Sequence, residues 1–292
     1  MIRLIINVDD FGLTSGVNRA IAECSRAGAI TSATLMANSR CFDEAVKFGL
    51  NLPGLKIGCH IVLIDGEPLS DNPRSLLENS PNGVPRFRSD LKAFALAAIR
   101  KKLSQEDIQR ETEAQIDKIR AAGILPTHVD THKHLHMFPH VLRALLKAAK
   151  ACGVRAVRNP FEPSGSLKKS IVAGSPSLWV RSAEVAVLRR FAGSFRKIVK
   201  EEGMATTDGT IGVTVTGALD QRLLSSMIQS LPGGTWELVC HPGYADADLR
   251  AAGTRLVESR QVELQTLTSE ETKRALSDRG IELISYADLK EM

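Results

Sequence analysis

Short apolar runs rich in β-branched residues alternate with amphipathic segments along nearly the whole chain. This alternation limits the fold more than any single motif does. "RLIINV" (3–8), "ITSATLMA" (30–37), "LKIGCHIVL" (55–63), "PTHVDTH" (126–132), "VRAVR" (154–158), "GTIGVTV" (209–215), "TWELVC" (235–240) and "GIELIS" (280–285) read as strands. Helical patterns at 15–28, 42–50, 89–102, 105–122 and 139–153 separate many of them, and a polar loop rich in Pro and Asn covers 64–87. Strands that alternate with helices are parallel and joined by crossovers. The expectation is an α/β chain with a (β/α) barrel-like, TIM-barrel-like fold, parallel strands inside and helices outside. It is either closed with eight strands or incomplete with seven, and forms one domain over 1–292.

One segment departs from the pattern. Residues 170–203 combine Trp179, Phe191 and Phe195 with Arg181, Arg189, Arg190, Arg196, Lys197 and Lys200. The segment is too long for an ordinary strand-to-helix connection and reads as an insertion. Three readings stay open: an outer helix with a solvated basic face, a homodimer interface, or an interfacial helix making peripheral contact with a membrane or a lipid-linked substrate.

With 43% hydrophobic residues the chain can bury a large core, and with 4% aromatics that core must be aliphatic. The net charge of +5 comes without an RNA-binding motif, zinc-finger spacing or basic tail, so no nucleic-acid partner is expected. Five widely spaced cysteines without a CxxC read as free thiols of a cytoplasmic protein. The opening "MIRLIINVDDFG" does not read as a secretory leader, and no run of about 18 apolar residues suggests a transmembrane segment.

In such a barrel, chemistry sits at the carboxyl ends of the strands. The polar residues found there are Asn7, Asp9 and Asp10, then His60, then Asp130 and His132, then His241. Adjacent carboxylates repel, and a cation on one of them relieves this. One acid of the pair can then bind metal while the other faces substrate. The alternative is helix capping, which Thr14 or Ser15 already serves.

"HVDTHKHLHMFPH" (128–140) holds five of the seven histidines. As a strand it places its even positions on one face. As a helix it aligns His132, His136 and His140. Pro139 favours a helix that begins there, leaving 128–132 as strand and 133–138 as loop. His132 then lies at the strand mouth, His128 deeper as a core or supporting residue, His140 at the surface, and His134 and His136 along a substrate groove. Alone, His60 reads as a satisfied core histidine. Alongside Asp10 and His132 it completes two imidazoles and a carboxylate, which leave open positions on a divalent ion.

"NVDDFG", "IGCHIVL", "THVDTHKHLHMFPHV" and "ELVCHPGY" together resemble the YdjC/ChbG/HpnK-like carbohydrate deacetylases, from about residue 3 to 288. The resemblance implies a (β/α) barrel-like fold and metal-dependent removal of an N-acetyl group from an amino sugar. It implies Asp10, His60 and His132 as metal ligands, Asp9 as catalytic base and His241 as a pocket histidine. Val8, Thr131 and Lys133 depart mildly from the family pattern, and Lys133 bears on substrate contacts.

On this reading one divalent ion, magnesium or zinc, activates water and polarises the acetyl carbonyl. Asp9 takes a proton, and His241, titrating near neutrality, returns one to the amine. Asp130 orients a histidine ring. His128, Lys133, His134 and His136 bind substrate or support the ligands. The expected substrate is a chitooligosaccharide or related N-acetylglucosaminyl compound. The alternatives are an N-acetylglucosaminyl lipid of hopanoid type, a metallohydrolase such as a phosphatase, and a non-catalytic sugar- or metal-binding protein.

Overall fold

The structure is a computed structural model, and it describes residues 1–78, 83–167 and 174–289. The strands are β1 (Ile2–Phe11), β2 (Ser32–Leu35), β3 (Lys56–Ile61), β4 (Val129–Thr131), β5 (Gly209–Ile211), β6 (Gly234–Cys240) and β7 (Ile281–Leu283). The helices are α1 (Ser15–Arg26), α2 (Phe42–Leu50), α3 (Leu91–Ile99), α4 (Gln105–Ala121), α5 (Pro139–Ala151), α6 (Pro176–Leu188), α7 (Ala192–Glu201), α8 (Gln221–Ser230), α9 (Ala247–Ala251), α10 (Glu258–Thr268) and α11 (Glu270–Asp278).

All pairings between these strands are parallel. The sheet runs β4-β3-β2-β1-β6-β5, and β7 pairs with β1. It curls into the expected barrel-like form with helices around it. β1 is central: β6 pairs with it over Ile2–Val8, β7 at Ile2–Leu4, and β2 at Asn7, Val8 and Phe11. Every β1 residue except Arg3 is buried. That follows from its near-continuous apolar sequence, which suits a strand covered on both faces.

Beyond β4 the curl continues through single bridges, Val129 to Val157 and Ala156 to Ala205. The expected strand at 154–158 is therefore reduced to two bridged residues. Pro160 follows at once and has no N–H with which to extend a ladder. The expected strand at 209–215 stops at Ile211 for a different reason. Gly212 turns the chain at φ 99°, and a Cβ there would lie 2.5 Å from the Val239 carbonyl oxygen.

The segment after β4 behaves partly as expected. Pro139 opens α5 in its first turn, and 133–138 forms no α-helix. His132–Met137 instead winds as a tight helical turn broken by left-handed backbone at Lys133 and His134. The described part of the insertion forms α6, a short turn and α7. Its residues 170–173 lie outside the described residues. Among those described, no helix is long and apolar enough to cross a membrane. All five cysteines are unpaired.

Candidate active site

β1 does not stop before its two acids, as the run "RLIINV" suggests, but continues through them to Phe11. Its register with β2 shifts between Val8 and Phe11, and Asp10 takes a left-handed φ of 64°. This is a bulge, which bends the strand and re-aims successive side chains. Asp9 and Asp10 consequently enter different networks.

Asp10 meets two histidines from neighbouring parts of the sheet. Its Oδ1 lies 3.5 Å from His60 Nε2 and 3.5 Å from His132 Nδ1, and the two ring nitrogens are 3.3 Å apart. His60 is buried in β3, while His132, just past β4, keeps about a quarter of its side chain exposed. Asp130 Oδ1 lies 2.7 Å from His60 Nδ1, fixing the ring so that Nε2 faces Asp10 and His132. Two nitrogens and a carboxylate oxygen at these separations form a donor set suited to one divalent cation. The Oδ2 of Asp10 accepts from Arg260 Nη2 of α10. Burial opposes ionisation of Asp10, but Arg260, His132 and His60 together hold its carboxyl well below the usual range.

Asp9 belongs to a second network. Arg158 donates to both of its oxygens, Nη1 to Oδ2 at 2.8 Å and Nη2 to Oδ1 at 2.6 Å. Asn7 Nδ2 donates to Oδ1 at 3.0 Å. The same guanidinium lies 2.6 Å from Asp130 Oδ2 and donates through Nε to Glu237 Oε1 at 2.9 Å. Asp9, His60 and Asp130 also cluster closely enough to suggest a cation site, but Arg158 already supplies the positive charge there. Burial opposes the ionisation of Asp9, yet Arg158, followed by His60 and His241, outweighs it and drives the carboxyl far below its ordinary range.

His241 follows β6, with Nε2 3.8 Å from Asp9 Oδ2. Its Nδ1 is buried without a partner, and its backbone N–H donates to Glu263 Oε2 at 2.5 Å. Burial outweighs the attraction of Asp9 and Asp10 and lowers the ring to about 4. The expectation of a group titrating near neutrality is corrected: this imidazole is neutral at pH 7 because its charged form is poorly solvated. Burial also lifts Glu263 to about 7.

The remaining candidates separate. His128 is fully buried, and its ring stacks on Tyr286 at 3.7 Å. Tyr286 in turn donates to Glu237 Oε2 at 2.6 Å. His128 thus sits beneath the Arg158 network and cannot touch substrate. His136 is fully buried too: Thr131 Oγ1 donates to its Nδ1 at 2.8 Å, and its Nε2 donates to the Arg158 carbonyl at 3.2 Å. It holds the turn to the barrel and does not line a groove, because both ring nitrogens are committed inward. His134 is half-buried, with Nδ1 unpartnered. Lys133 turns outward and pairs with Asp65. His140 donates to the Leu103 carbonyl at 2.7 Å.

Arg158, Arg260, Glu237, Thr34 and Glu263 were absent from the candidates. Thr34 Oγ1 lies 3.2 Å from Asp9 Oδ1, 3.3 Å from His60 Nδ1 and 3.2 Å from Asp130 Oδ2, and so ties the two networks together. Arg158 had a signal, since it ends the apolar run "VRAVR" as the other candidates end theirs.

Comparison with known proteins adds to this geometry. The sequence model of the YdjC-like protein family matches residues 3–278. A carbohydrate deacetylase from Brevibacillus brevis is 31% identical over 287 residues, covering 98% of this chain and 99% of that protein. A chitooligosaccharide deacetylase from Escherichia fergusonii is 30% identical over 294 residues, covering 98% of each. Among solved structures, a proposed cellobiose-phosphate cleavage protein from Enterococcus faecalis V583 superposes with a TM-score of 0.74 at 24% identity, over 97% of each chain.

Proposed function

The chain belongs to the YdjC-like family, and from that premise we propose that it is a divalent-metal-dependent carbohydrate deacetylase acting on N-acetylated amino sugars. The observation that carries this reading is the convergence of Asp10 Oδ1, His60 Nε2 and His132 Nδ1 beside Asp9 and His241. The names of the full-length relatives support it.

Asp10, His60 and His132 would hold the cation. When bound, it supplies Lewis acidity toward the acetyl carbonyl and acidifies a water. Asp9 is ionised at neutral pH and, with Arg158 donating to both oxygens, a weak base. It therefore accepts a proton only from a water that is already acidic. The water oxygen bonds to the acetyl carbon, the C–N bond breaks, and acetate and a free amine leave. His241, neutral at rest, relays the proton that the departing nitrogen needs. Its depressed basicity makes its protonated form a ready donor. His134 and Lys133 flank the substrate side of His132.

The test is acetate release from N-acetylglucosamine oligomers with and without chelator. Release that stops on chelation and returns with one added divalent ion is expected. Failure of every N-acetylated substrate with magnesium, manganese and zinc would sink the reading, and phosphate release would favour a phosphatase.

A second reading keeps the chemistry and puts the sugar on a lipid. Trp179, Val180 and Val187 of α6 are 63%, 49% and 56% exposed. Arg181 of α6 donates to the Thr216 carbonyl, and the adjacent Arg189 donates to that of Glu162. Thr216 lies in the turn after β5, so Arg181 ties α6 to the carboxyl end of the sheet. Turnover of an N-acetylglucosaminyl lipid faster than of free oligosaccharide would select this reading.

A further inference from the structure

Three buried side-chain atoms near the end of β6 have no hydrogen-bond partner among the described residues: His241 Nδ1, Glu263 Oε1 and Arg260 Nη1. Their residues are only 8%, 1% and 1% exposed. A buried polar group left unpaired is costly, and three in one neighbourhood call for a common partner.

Several contacts put them in one neighbourhood. Glu263 and Arg260 stand one turn apart on α10 and share a face of that helix. Glu263 Oε2 accepts the backbone N–H of His241 at 2.5 Å. Gly243, two residues further on, donates to the Arg260 carbonyl at 3.1 Å, and a Cβ there would lie 3.0 Å from Arg260 Cδ. The charge of Arg260 acts on both His241 and Glu263.

The other polar atoms of these side chains are committed elsewhere. Arg260 donates through Nη2 to Asp10 and through Nε to the Leu256 carbonyl. His241 turns Nε2 toward Asp9, so Nδ1 lies on the other edge of the ring. The three free atoms also differ in kind. A guanidinium nitrogen only donates, a carboxylate oxygen only accepts, and an imidazole nitrogen does either. One water satisfies all of them: it accepts from Arg260 Nη1, donates to Glu263 Oε1 and accepts from a proton on His241 Nδ1. About three such bonds is the usual complement of a buried water.

We propose that His241 Nδ1, Glu263 Oε1 and Arg260 Nη1 bind one structural water, through which Glu263 holds the imidazole as its Nδ1–H tautomer. Glu263 is then a positioning residue for His241. Asp9 does not dictate the opposite tautomer, because its 3.8 Å separation from Nε2 exceeds a hydrogen bond and Arg158 donates to both of its oxygens. The inference rests on the deacetylase reading only for what the ring does next. With the ring proton at Nδ1, the Nε2 lone pair takes one proton from Asp9 and returns it to the departing nitrogen, and the ring ends as it began.

The tautomer can be read without substrate. Long-range proton–nitrogen NMR of the full chain at about pH 8, above the value of about 7 to which burial lifts Glu263, should show His241 protonated at Nδ1. His241→Gln identifies the signal by deleting it. Glu263→Gln presents an amide N–H to the water in place of a carboxylate oxygen, so the water must donate to Nδ1 and the ring proton should move to Nε2. In that variant kcat for acetate release should fall about a hundredfold with KM within about twofold, the loss of a positioned proton carrier. A crystal structure of the native protein should place one ordered water within hydrogen-bonding distance of all three atoms. Protonation at Nε2 in the native protein, an unchanged tautomer in Glu263→Gln, or a crystal structure without that water overturns the proposal. The two native measurements decide it even if Glu263→Gln does not fold. A tautomer that reverses in Glu263→Gln, while the native enzyme releases no acetate from any N-acetylated sugar, supports the water site and overturns the deacetylase reading.

Discussion

The guanidinium of Arg260, in α10, donates to the Oδ2 of Asp10, in β1, across 250 residues of sequence. Neither side chain is more than 5% exposed. Removing one partner from a buried ion pair costs about 3–5 kcal/mol, because the other charge stays buried and unpaired. Arg260→Met should therefore lower the melting temperature markedly in chelator. Added divalent ion should restore much of the loss, since a cation at Asp10 Oδ1 supplies the missing charge. Equal losses with and without metal would reduce Arg260 to a packing role.

The two acids should separate in mutagenesis. Asp9→Asn should retain stoichiometric metal by calorimetry and lose activity by at least about a hundredfold, the lower end for a positioned proton acceptor. His60→Ala and His132→Ala should lose metal and activity together. Full metal occupancy in His132→Ala would remove that residue from the ligand set.

Gly58 is irreplaceable for a reason distant from substrate. A Cβ there would lie 2.5 Å from the His128 ring, which is pinned against Tyr286. Gly58→Ala should destabilise the fold by about 1–3 kcal/mol in denaturant titration, as overpacking does. Wild-type stability in Gly58→Ala would mean that the His128–Tyr286 stack can shift.

Stability should also depend on pH through the acids. Asp9 and Asp10 titrate below their unfolded value of 3.8. Their contribution is present above that value and lost as pH falls below it toward the folded pKa. A group that stays ionised in the folded state while the unfolded chain takes up its proton gives a slope of about 1.4 kcal/mol per pH unit. Asp9→Asn should lower the slope between pH 4 and 2 by about that amount. An unchanged slope would mean that Asp9 is not held ionised by Arg158.

Much of this was legible in the sequence. Period and spacing pointed to the parallel sheet, and the polar residues of four apolar runs pointed to the end of it where Asp10, His60 and His132 converge. Even the role of Pro139 in closing the histidine cluster could be read from a rule of backbone chemistry. What could not be read depended on contacts remote in sequence. Arg158 ends its run as visibly as His241 follows its own, but its three carboxylate partners lie on β1, β4 and β6. Arg260 and Glu263 lie on a helix in a pattern that resembles an ordinary solvated face. The density of histidine also misled. His128 lies in the core as its place in the strand suggested, but His136, expected along a groove, faces inward because Thr131 and the Arg158 carbonyl complete it there.

The bulge in β1 bears on how this protein can change. Residues adjacent in sequence normally share an environment, and substitutions at them interact. Here one irregular residue of backbone wires Asp9 to Arg158 and Asp10 to Arg260, while His60 and His241 feel the charge of both acids. Two residues one peptide bond apart thereby acquire different guanidinium partners from distant parts of the chain. A substitution at Arg158 would act first on Asp9 and one at Arg260 first on Asp10, so the two adjacent acids can change independently as long as His60 and His241, which both acids reach, stay in place.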